Sequence, residues 1–547
     1  MNTHTPCEVI LRNIKIPASE TSDAEAIDQA RLRLRKAGIA LDGDFAGIVK
    51  KSVDARKKPL CFVYSVLLRV KYPPKEASLA KIDAQLQTPI DINSMIKRGS
   101  TPLSHRPVIV GFGPCGMFAG LLLAEQGYAP VILERGGNVE ERTASVERFN
   151  RTGKLDTDSN IQFGAGGAGT FSDGKLVTRI NDGRCRYVLE RFNEFGAPDE
   201  ILYAAKPHIG TDKLLGVVAR IRDRILALGG EIHFNCRMES IVTDAGCAKA
   251  VKVINTLTGK GNTIPCGALI IAPGHSSRDT YAMLLKAGYQ LNPKPFSVGV
   301  RIEHLQSDID RALYGNLAGA PFLGHGEYNL SHRVGERGVY TFCMCPGGEV
   351  VAAASEEGGV VVNGMSRYLR DGKNANSAVA VSVLPSDFGN TVEGAIAFQR
   401  TLERAAYKAG GEDYSAPIQT VGDFLSDRTG SLPPRIIPTY RGGEFVKPCD
   451  LGALMPAFVT SMLKLGLSEF GKKIRGFDAP DAILTGFETR TSAPLRMERD
   501  ESGIALGTAN IYPAGEGAGY AGGITSAAVD GIAASLHLME HYAPFKN

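Results

Sequence analysis

The feature that most constrains the fold is a glycine turn between an apolar strand and a helix of small residues, "VIVGFGPCGMFAG" at 108–120. Gly111, Gly113 and Gly116 satisfy GxGxxG: the first glycine permits the sharp turn, the second lets a pyrophosphate approach the backbone, and the third lets the helix lie close to the sheet. The next strand, "APVILE", ends in Glu134, 23 residues after Gly111. An acid at about 20 residues' distance accepts hydrogen bonds from an adenosine ribose. The pattern predicts a dinucleotide-binding βαβ unit, without separating FAD from NAD(P).

Two later junctions between an apolar strand and a turn favour FAD. "ALIIAPG" ends in Ala272-Pro273-Gly274, which resembles the strand-end "ATG" turn of glutathione-reductase-type flavoproteins. "IYPAGEGAGYAGGITSAAVDG" contains Gly515-Glu516, which resembles a C-terminal flavin motif whose acid, usually Asp, hydrogen-bonds the ribityl chain. The helix beginning near Gly523-Ile524 would place its positive end at the flavin pyrimidine edge, where it stabilises negative charge on the reduced ring. Each junction alone also fits an ordinary connection between strand and helix.

A third stretch, "NIQFGAGGAGTFSDGKL" at 160–176, holds four glycines within six residues. Such a loop can lay backbone amides against a flavin or a phosphate, although a flexible surface loop has the same composition. With the three turns above, this loop completes the predicted cofactor-binding set. Its members are Gly111, Gly113, Pro114, Cys115, Gly116, Glu134, Arg135, Arg142, Gly167, Gly169, Thr170, Met238, Ala272, Pro273, Gly274, Gly515, Glu516, Gly522, Gly523 and Ile524.

The 547 residues exceed what one hydrophobic core serves, and we expect two or three domains. Strands and helices alternate from 107 to about 290, which predicts a parallel sheet. Short β-rich runs divided by Gly-Gly and Asn-Gly follow, and predict an antiparallel sheet. The predicted fold class is α/β: an FAD-binding Rossmann-like domain of the glutathione-reductase type at 99–294 and 486–547, an inserted β-rich substrate or cap domain at 295–485, and a small α/β domain at 1–98.

The N-terminal segment carries the chain's basic excess, because residues 1–100 hold 17 Lys and Arg against 11 Asp and Glu. We predict a strand over 7–16, a helix begun by Ser22 and Glu25 as a capping box, a second helix over 44–58, and a strand over 59–72. Basic side chains cluster around that second helix: Lys50, Lys51, Arg56, Lys57 and Lys58. A helix face exposed to solvent is the ordinary explanation of this cluster. RNA binding is a more specific alternative, and a module for protein interaction or dimerisation is favoured over RNA binding.

Six stretches together carry a family resemblance. They are "GFGPCGMFAG", "GAGGAGTFSDGKL", "FSVGVRIEH", "CMCPGGEVV", "NGMSRYLRDGKNANSA" and "ETRTSAP". They resemble the bacterial proteins called uncharacterised FAD-dependent or "NAD(FAD)-utilizing" dehydrogenases, over nearly the whole chain. The resemblance implies tightly bound, non-covalent FAD and a glutathione-reductase-type fold, and it supplies no established substrate. Since the sequence shows one complete dinucleotide cradle, with an apolar strand before the GxGxxG and a helix after it, NAD(P)H is expected only as a transient reductant at the flavin.

Candidates for the chemistry follow the strands of the β-rich region. Arg301 or Arg490 could clamp a carboxylate or stabilise an anionic intermediate, and His275 or His304 could exchange a proton. Structural ion pairs and loop hydrogen bonds are the competing explanations. Cys343 and Cys345, two apart in a strand, would point to the same face and could relay electrons, although cysteine is also a common buried residue.

Targeting and metal signals are lacking in the sequence. The N-terminus has no apolar signal-peptide core, no apolar run approaches the roughly 20 residues of a spanning helix, and the ten cysteines show no zinc spacing. We therefore expect a cytoplasmic, metal-free FAD-dependent oxidoreductase acting on a small molecule, free of membranes and nucleic acid and able to form a homo-oligomer. The alternatives are a flavin-dependent RNA-modifying or RNA-binding protein, and a protein that holds FAD as a structural ligand.

Overall fold

The computed structural model describes residues 7–56, 58–87, 90–430 and 435–545, and shows a mixed α/β protein. The first part of the chain forms a four-stranded sheet in the order β2-β3-β1-β4, in which every pair is antiparallel. Alternate residues of β3 point into a core shared with α1, as period-two burial requires. The elements are β1 Cys7–Pro17, α1 Ser22–Lys36, β2 Leu41–Asp54, β3 Cys61–Val70, α2 Glu76–Ala80, β4 Ala84–Leu86 and α3 Ile92–Met95.

Two local predictions for this segment are wrong. The helix predicted over 44–58 is strand β2, because Ile48 and Val53 pair with β3 in an antiparallel register and tertiary pairing overrides weak helix propensity. Thr21, and not Ser22, occupies the N-cap position of helix α1, and its side chain makes no capping hydrogen bond to the backbone. The Thr21 hydroxyl donates to Glu25 at 2.6 Å, while the Ser22 hydroxyl turns back to the Pro17 carbonyl.

The basic side chains on β2 therefore lie on a strand. The Lys51 amide donates to the Tyr203 carbonyl, and the Lys51 carbonyl accepts from the Ala205 amide. Its ammonium pairs with Asp23 at 2.6 Å. Lys57 lies outside the described residues. The structure gives the RNA-binding alternative no support.

The next part of the chain forms a five-stranded parallel sheet, as the alternation of strands and helices predicted. Its strand order is β24 (Ile511–Pro513), β12 (Leu269–Ile271), β6 (Val108–Val110), β7 (Val131–Leu133) and β8 (Glu231–His233). Both faces of this sheet are buried, which is typical of parallel sheets. Ile109 and Ile270 face the helices, whereas Val108 and Leu269 face a three-stranded antiparallel sheet on the other side.

The elements of this part are β5 Thr101–Pro102, β6 Val108–Val110, α4 Pro114–Glu125, β7 Val131–Leu133, α5 Val139–Thr152, α6 Arg184–Glu194, α7 Thr211–Ala227, β8 Glu231–His233, β9 Cys236–Asp244, β10 Cys247–Asn255, β11 Gly261–Pro265, β12 Leu269–Ile271, α8 Arg278–Lys286 and β13 Leu291–Pro293.

A seven-stranded sheet in the order β15-β16-β19-β14-β22-β20-β21 occupies the following part of the chain. All pairs are antiparallel except β20 with β21, in agreement with the predicted β-rich texture. Helix α12 covers its apolar face. The elements are β14 Phe296–Leu305, α9 Gln306–Tyr314, β15 Ser331–Val334, β16 Arg337–Cys345, β17 Glu349–Ala352, β18 Val362–Met365, β19 Asn374–Val383, α10 Val392–Gly410, β20 Ala416–Thr420, α11 Val421–Leu425, β21 Val446–Pro448, α12 Ala457–Lys473 and β22 Ile483–Glu488.

The last part of the chain returns to the parallel sheet. Its elements are β23 Leu495–Met497, β24 Ile511–Pro513, α13 Ile524–His541 and β25 Tyr542–Ala543. Strand β24 lies beside β12, and α13 packs on α4 so closely that a methyl group at Gly531 would overlap the Cys115 carbonyl. Among the helices described, none is both long and apolar enough to cross a bilayer.

Candidate flavin site

Four glycine-lined turns that are distant in sequence meet at the carboxyl ends of β6, β12 and β24. A methyl group at Gly167 would lie 2.8 Å from the Gly113 Cα atom. At Gly515 it would lie 2.8 Å from the Cys115 Cβ atom, and at Gly517 it would lie 2.6 Å from the Gly274 carbonyl oxygen. In open α/β sheets, ligands bind outside the carboxyl ends of the strands. The structure thus brings the predicted turns together at the position where a nucleotide binds.

Two of these glycines have no explanation in the packing of the protein. Gly113 has an ordinary φ of −79°, and a methyl group there would make only van der Waals contact, 3.6 Å from Gly167. Gly522 has no neighbour within 4 Å of such a methyl group. By contrast, a methyl group at Gly116 would overlap the Gly111 carbonyl. Gly113 and Gly522 therefore leave room for a ligand, whereas Gly116 is required by the fold.

The buried Glu134 carboxylate joins two of the turns. One oxygen accepts from the Phe112 amide at 2.8 Å, and the other accepts from the amides of Gly136 at 3.0 Å and Gly164 at 2.9 Å. A carboxylate has about four acceptor positions, so one remains for a ribose hydroxyl. This second role, in holding the glycine turn and the 160–176 loop together, was not predicted from the sequence.

Arg142 supports the 160–176 loop from beneath. Its fully buried guanidinium donates to the carbonyls of Asn160 at 2.9 Å, Ile161 at 2.9 Å and Ala165 at 2.6 Å. No carboxylate among the described residues pairs with it, and burial lowers the pKa of Arg142 to about 9. The side chain thus acts on the loop and does not point at a ligand, in contrast to the direct contact that we predicted.

Three other residues predicted to contact the cofactor have side chains or Cα atoms that pack against the protein itself. The Met238 side chain is buried in the apolar core, so that only its backbone could face a nucleotide. The Thr170 hydroxyl is buried and donates to the Ala165 carbonyl. Gly169 lies against the Ile524 side chain, where a methyl group would lie 2.9 Å from Cγ1. This contact places the 160–176 loop at the first turn of α13.

A crevice of about 1240 Å³ opens beside Glu134. Arg135 stands at its edge, paired with Asp279 and stacked over the Phe163 ring at 4.3 Å. Helices α8 and α10 form the opposite walls, and the side chains that line them are mostly charged and mutually paired. Arg135 and Ser276 in its lining directly follow Glu134 and the Gly274 turn along the chain, so the crevice lies next to two of the turns in sequence.

Glu516 lies in the last glycine turn. Burial raises the pKa of its carboxyl to about 7, and the Lys294 ammonium opposes this increase. A carboxyl with this pKa can accept or donate a hydrogen bond near neutral pH, and either role suits a ribityl hydroxyl. The flavin motif that this turn resembles usually has Asp at this position. Glu516 keeps a carboxyl group in the turn in place of that Asp.

Arg301 cannot clamp a substrate carboxylate, contrary to the prediction. It is fully buried, and all of its N–H groups already have acceptors, among them Glu488 at 2.7 Å and Asn376 at 2.8 Å. Arg490 is similarly occupied by Glu403, at 3.0 and 3.1 Å, and by Ser355. Both arginines are structural ion pairs within the protein.

The two histidines differ in their relation to the site. His304 is buried beside Phe477, whose carbonyl contacts Nε2 at 2.8 Å, and it packs with the core of the seven-stranded sheet. His275 follows the Gly274 turn directly. Burial lowers the pKa of His275 to about 4, and the nearby Arg490 charge adds to this effect. His275 is therefore a neutral imidazole at neutral pH, and it is the histidine adjacent to the glycine turns.

Cys343 and Cys345 do not share a face of β16. The register of the strand shifts between Phe342 and Cys345, and Cys343 has a φ of +44°. Such a bulge cancels the period-two alternation on which the prediction rested. Cys343 remains accessible, while Cys345 is buried against Arg301 at 3.5 Å. Because the bulge separates the exposed Cys343 from the buried Cys345, the structure does not support a paired thiol relay.

Sequence reasoning missed Lys175, at the end of the glycine loop. The Leu176 carbonyl accepts the Thr525 hydroxyl at 2.8 Å, which fixes this point of the chain at the first turn of α13. The Lys175 ammonium also acts electrostatically on the thiols of Cys343 and Cys345. Lys175 therefore lies between the glycine turns and the seven-stranded sheet. The signal in the sequence was its position directly after "TFSDG".

Comparisons with known proteins now identify the family. Residues 295–491 match the family described as "FAD-dependent protein, C-terminal domain-like". A Clostridium beijerinckii protein, described as "Uncharacterized protein", is 48% identical over 501 residues, which cover 90% of this chain and 92% of the relative. The chain belongs to this family of FAD-dependent proteins.

Solved structures give weaker likenesses. The flavin-dependent brominase Bmp2 is 11% identical, with 81% of each chain covered and a TM-score of 0.37. A geranylgeranyl bacteriochlorophyll reductase-like protein from Thermoplasma acidophilum is 10% identical, with 78% of this chain and 76% of that chain covered and a TM-score of 0.33. At these TM-scores neither likeness bears on the chemistry of this chain.

Proposed function

We propose that the protein is an FAD-dependent oxidoreductase that transfers hydride or electrons between a small organic substrate and tightly, non-covalently bound FAD. The observation that carries the proposal is the convergence of four glycine turns around Gly113 and Gly522, whose missing side chains leave space that the protein does not fill. Family membership supplies FAD as the group that fits this space. Bound FAD would provide the redox chemistry through its isoalloxazine ring.

The chain's own residues would bind and orient that group. The amides at the N-terminus of α4 face the pyrophosphate position, and Glu134 keeps one acceptor position for the ribose. Glu516 would bind the ribityl chain. The N-terminus of α13 would stabilise negative charge on a reduced ring, because the positive end of a helix dipole lies there.

The proposed layout is a glutathione-reductase-type nucleotide domain at 99–294 and 486–547, a substrate domain at 295–485, and an N-terminal domain at 1–98 for self-association or a protein partner. We propose NAD(P)H as a transient reductant that reaches the flavin without a second dinucleotide cradle. Its route would be the crevice between α8 and α10.

Spectroscopy of the purified protein tests the proposal. We expect a yellow protein with about one FAD per chain, and bleaching by NADH or NADPH under anaerobic conditions. A colourless protein that does not take up added FAD would overturn the cofactor assignment. A yellow protein bleached by neither nucleotide would overturn the reductant alone.

Gly113→Val tests the geometry of the site. The variant should fold, since the protein leaves room for the side chain, and it should lose FAD because the valine occupies the pyrophosphate position. The thermal unfolding midpoint of the apoprotein and the flavin content measure the two effects separately. A folded variant that holds stoichiometric FAD would contradict the proposed cradle.

A further inference from the structure

Arg278 begins helix α8 shortly after the Gly274 turn, and local contacts fix it to that turn. The Ser277 hydroxyl donates to the Pro273 carbonyl at 2.5 Å, and the Tyr281 hydroxyl donates to the Gly274 carbonyl at 2.9 Å. A displacement of Arg278 would therefore move the Gly274 turn, which is one of the four turns of the candidate flavin site.

Glu403, on α10, is the centre of a buried set of hydrogen bonds. Its carboxylate accepts twice from Arg278, at 2.8 and 2.9 Å, and twice from Arg490, at 3.0 and 3.1 Å. The Thr489 hydroxyl donates to the same carboxylate at 2.7 Å. Gln399, one turn earlier on α10, accepts from Arg278 at 3.0 Å and donates to the Thr489 carbonyl at 2.9 Å. A carboxylate has about four acceptor positions, so these donors leave Glu403 no capacity for a ligand.

Thr489 and Arg490 lie at the point where the chain leaves the seven-stranded sheet for the parallel sheet. We call residues 489–494, between β22 and β23, the connecting segment. It is tied to the other connection between the two sheets, because the Lys294 amide donates to the Pro494 carbonyl at 2.9 Å. The carboxylate on α10 therefore links a turn of the candidate flavin site to the segment that joins the two sheets.

A second path of hydrogen bonds connects the same two points through the loop after β17. The Ser276 hydroxyl donates to Gln162, in the most glycine-rich loop, at 3.3 Å, and the Gln162 amide donates to the Ala353 carbonyl at 3.2 Å. Two residues later, the Ser355 hydroxyl accepts from Arg490. These side chains are all buried. The two paths form a closed ring through two of the four turns, and a fully satisfied buried network of this kind holds its members in one arrangement.

The two arginines make the ring depend on the Glu403 charge. Arg278 and Arg490 donate to the same carboxylate, so their guanidinium groups lie close together in a region that excludes solvent. Like charges at this separation repel strongly when no carboxylate lies between them. Glu356 accepts from Arg278 at 2.6 Å, but its side chain is 29% exposed and also pairs with Arg400. Loss of the Glu403 charge would therefore push the turn and the connecting segment apart.

We propose that Glu403 is a positioning residue for the flavin site, and that it couples occupation of this site to the placement of the seven-stranded sheet. It would act through Arg278 on the Gly274 turn and through Arg490 on the connecting segment, without touching the cofactor. The inference rests on the proposed function, because the coupling is to bound FAD.

Titration of the apoprotein with FAD, followed by the change in flavin fluorescence, tests the coupling without turnover. Glu403→Gln removes the charge and keeps the size of the side chain. We expect it to raise the FAD dissociation constant about fivefold to 150-fold, the range typical of coupling between linked sites.

Asp387→Asn is the matched control. The Asp387 side chain is 12% exposed and is also held by an arginine, Arg337, at 2.5 and 2.7 Å, but both residues belong to the seven-stranded part of the chain. This variant should lower the thermal unfolding midpoint and leave the FAD dissociation constant within about twofold, since distant sites act independently.

A double variant separates positioning from stability. Arg278→Met combined with Glu403→Gln removes one of the two repelling charges, and should recover part of the stability that Glu403→Gln loses. The Gly274 turn still lacks its link to α10, so FAD binding should stay as weak as in Glu403→Gln. Arg278→Lys is the milder change. It keeps the charge but loses the forked contact with Glu403 and Gln399, and it should weaken FAD binding by a smaller factor even if Glu403→Gln fails to fold.

Hydrogen exchange measures the same coupling in the reverse direction, because coupling between two sites is reciprocal. FAD should slow amide exchange in α10 of the natural chain, and should slow it less in Arg278→Lys. Exchange in α10 that does not respond to FAD in the natural chain would overturn the inference.

The titrations can also overturn the inference. They would do so if FAD affinity is unchanged in Glu403→Gln, falls equally in Asp387→Asn, or recovers together with stability in the double variant. In each of these cases the natural chain still binds FAD, and the proposed function stands. A natural chain that takes up no FAD would overturn the proposed function, and the inference with it.

Discussion

The parallel sheet and the seven-stranded sheet present different chemistry to the space between them. The parallel sheet offers backbone amides and glycines, and its one acid there, Glu134, accepts from three amides. The seven-stranded sheet offers arginines and carboxylates that satisfy one another, such as Arg301 with Glu488. Binding capacity on the first side comes from missing side chains. Charges on the second side are paired with one another within the protein.

The largest expected effect is a contrast within the glycine turn. Gly116→Val should prevent folding or cost more than about 5 kcal/mol, because its Cβ would overlap the Gly111 carbonyl and the backbone cannot yield. Gly113→Val, three residues away, should cost little stability and abolish FAD binding. Denaturant unfolding of the two apoproteins measures the difference. Equal destabilisation of both variants would remove the distinction between structural and ligand-facing glycines.

Arg301→Met tests the charged side of the comparison. The change leaves the buried Glu488 carboxylate without its partner, and should cost roughly 3–5 kcal/mol in the free energy of unfolding. The double variant Arg301→Met with Glu488→Gln should recover part of that loss, since it removes the unpaired charge. A single variant as stable as the natural chain would show that the pair is not structural.

Glu516 should give the cofactor-free protein a pH-dependent stability. Its pKa of about 7 when folded lies above the ordinary 4.5, so the protonated carboxyl stabilises the fold fully below pH 4.5, and this contribution is lost as the pH rises through 7. Urea midpoints measured from pH 4.5 to 8 should therefore fall more steeply for the natural chain than for Glu516→Gln. Parallel curves would contradict the raised pKa.

The smallest expected effect belongs to Cys343→Ser. Because Cys343 is exposed on a bulge apart from the buried Cys345, turnover and flavin reduction should change by less than about twofold. Stopped-flow measurement of flavin reduction in both proteins checks this. A loss of tenfold or more would restore the thiol relay that the sequence suggested.

Local patterns predicted the parts of the molecule that depend on a few neighbouring residues. The turn at Gly111–Gly116, the parallel strands flanking it and the helix of small residues after it all follow from spacing and period. The prediction failed at β2, where helical propensity competed with pairing to β3, a partner that only the tertiary structure supplies. The predicted capping box failed because the Ser22 hydroxyl donates to the Pro17 carbonyl and α1 begins with Thr21 at the N-cap position.

Side-chain roles in the candidate site were harder to predict for the same reason. Arg301, Arg490 and Arg142 were chosen as charged residues near turns, yet each is occupied by partners up to 187 positions away in the chain. Lys175 was overlooked although it ends the most glycine-rich loop. The cofactor roles of the glycine turns, the domain boundaries and the oxidoreductase activity stay predictions.

By itself, the sequence determined that this protein has a GxGxxG turn at the end of an apolar strand, since Gly111 permits the left-handed bend and Gly116 permits the close helix. Only the tertiary structure decided that three further turns meet there and which charged side chains are already paired. Backbone conformation is set by local sterics, whereas the availability of a charge depends on every group that folding brings within hydrogen-bonding distance.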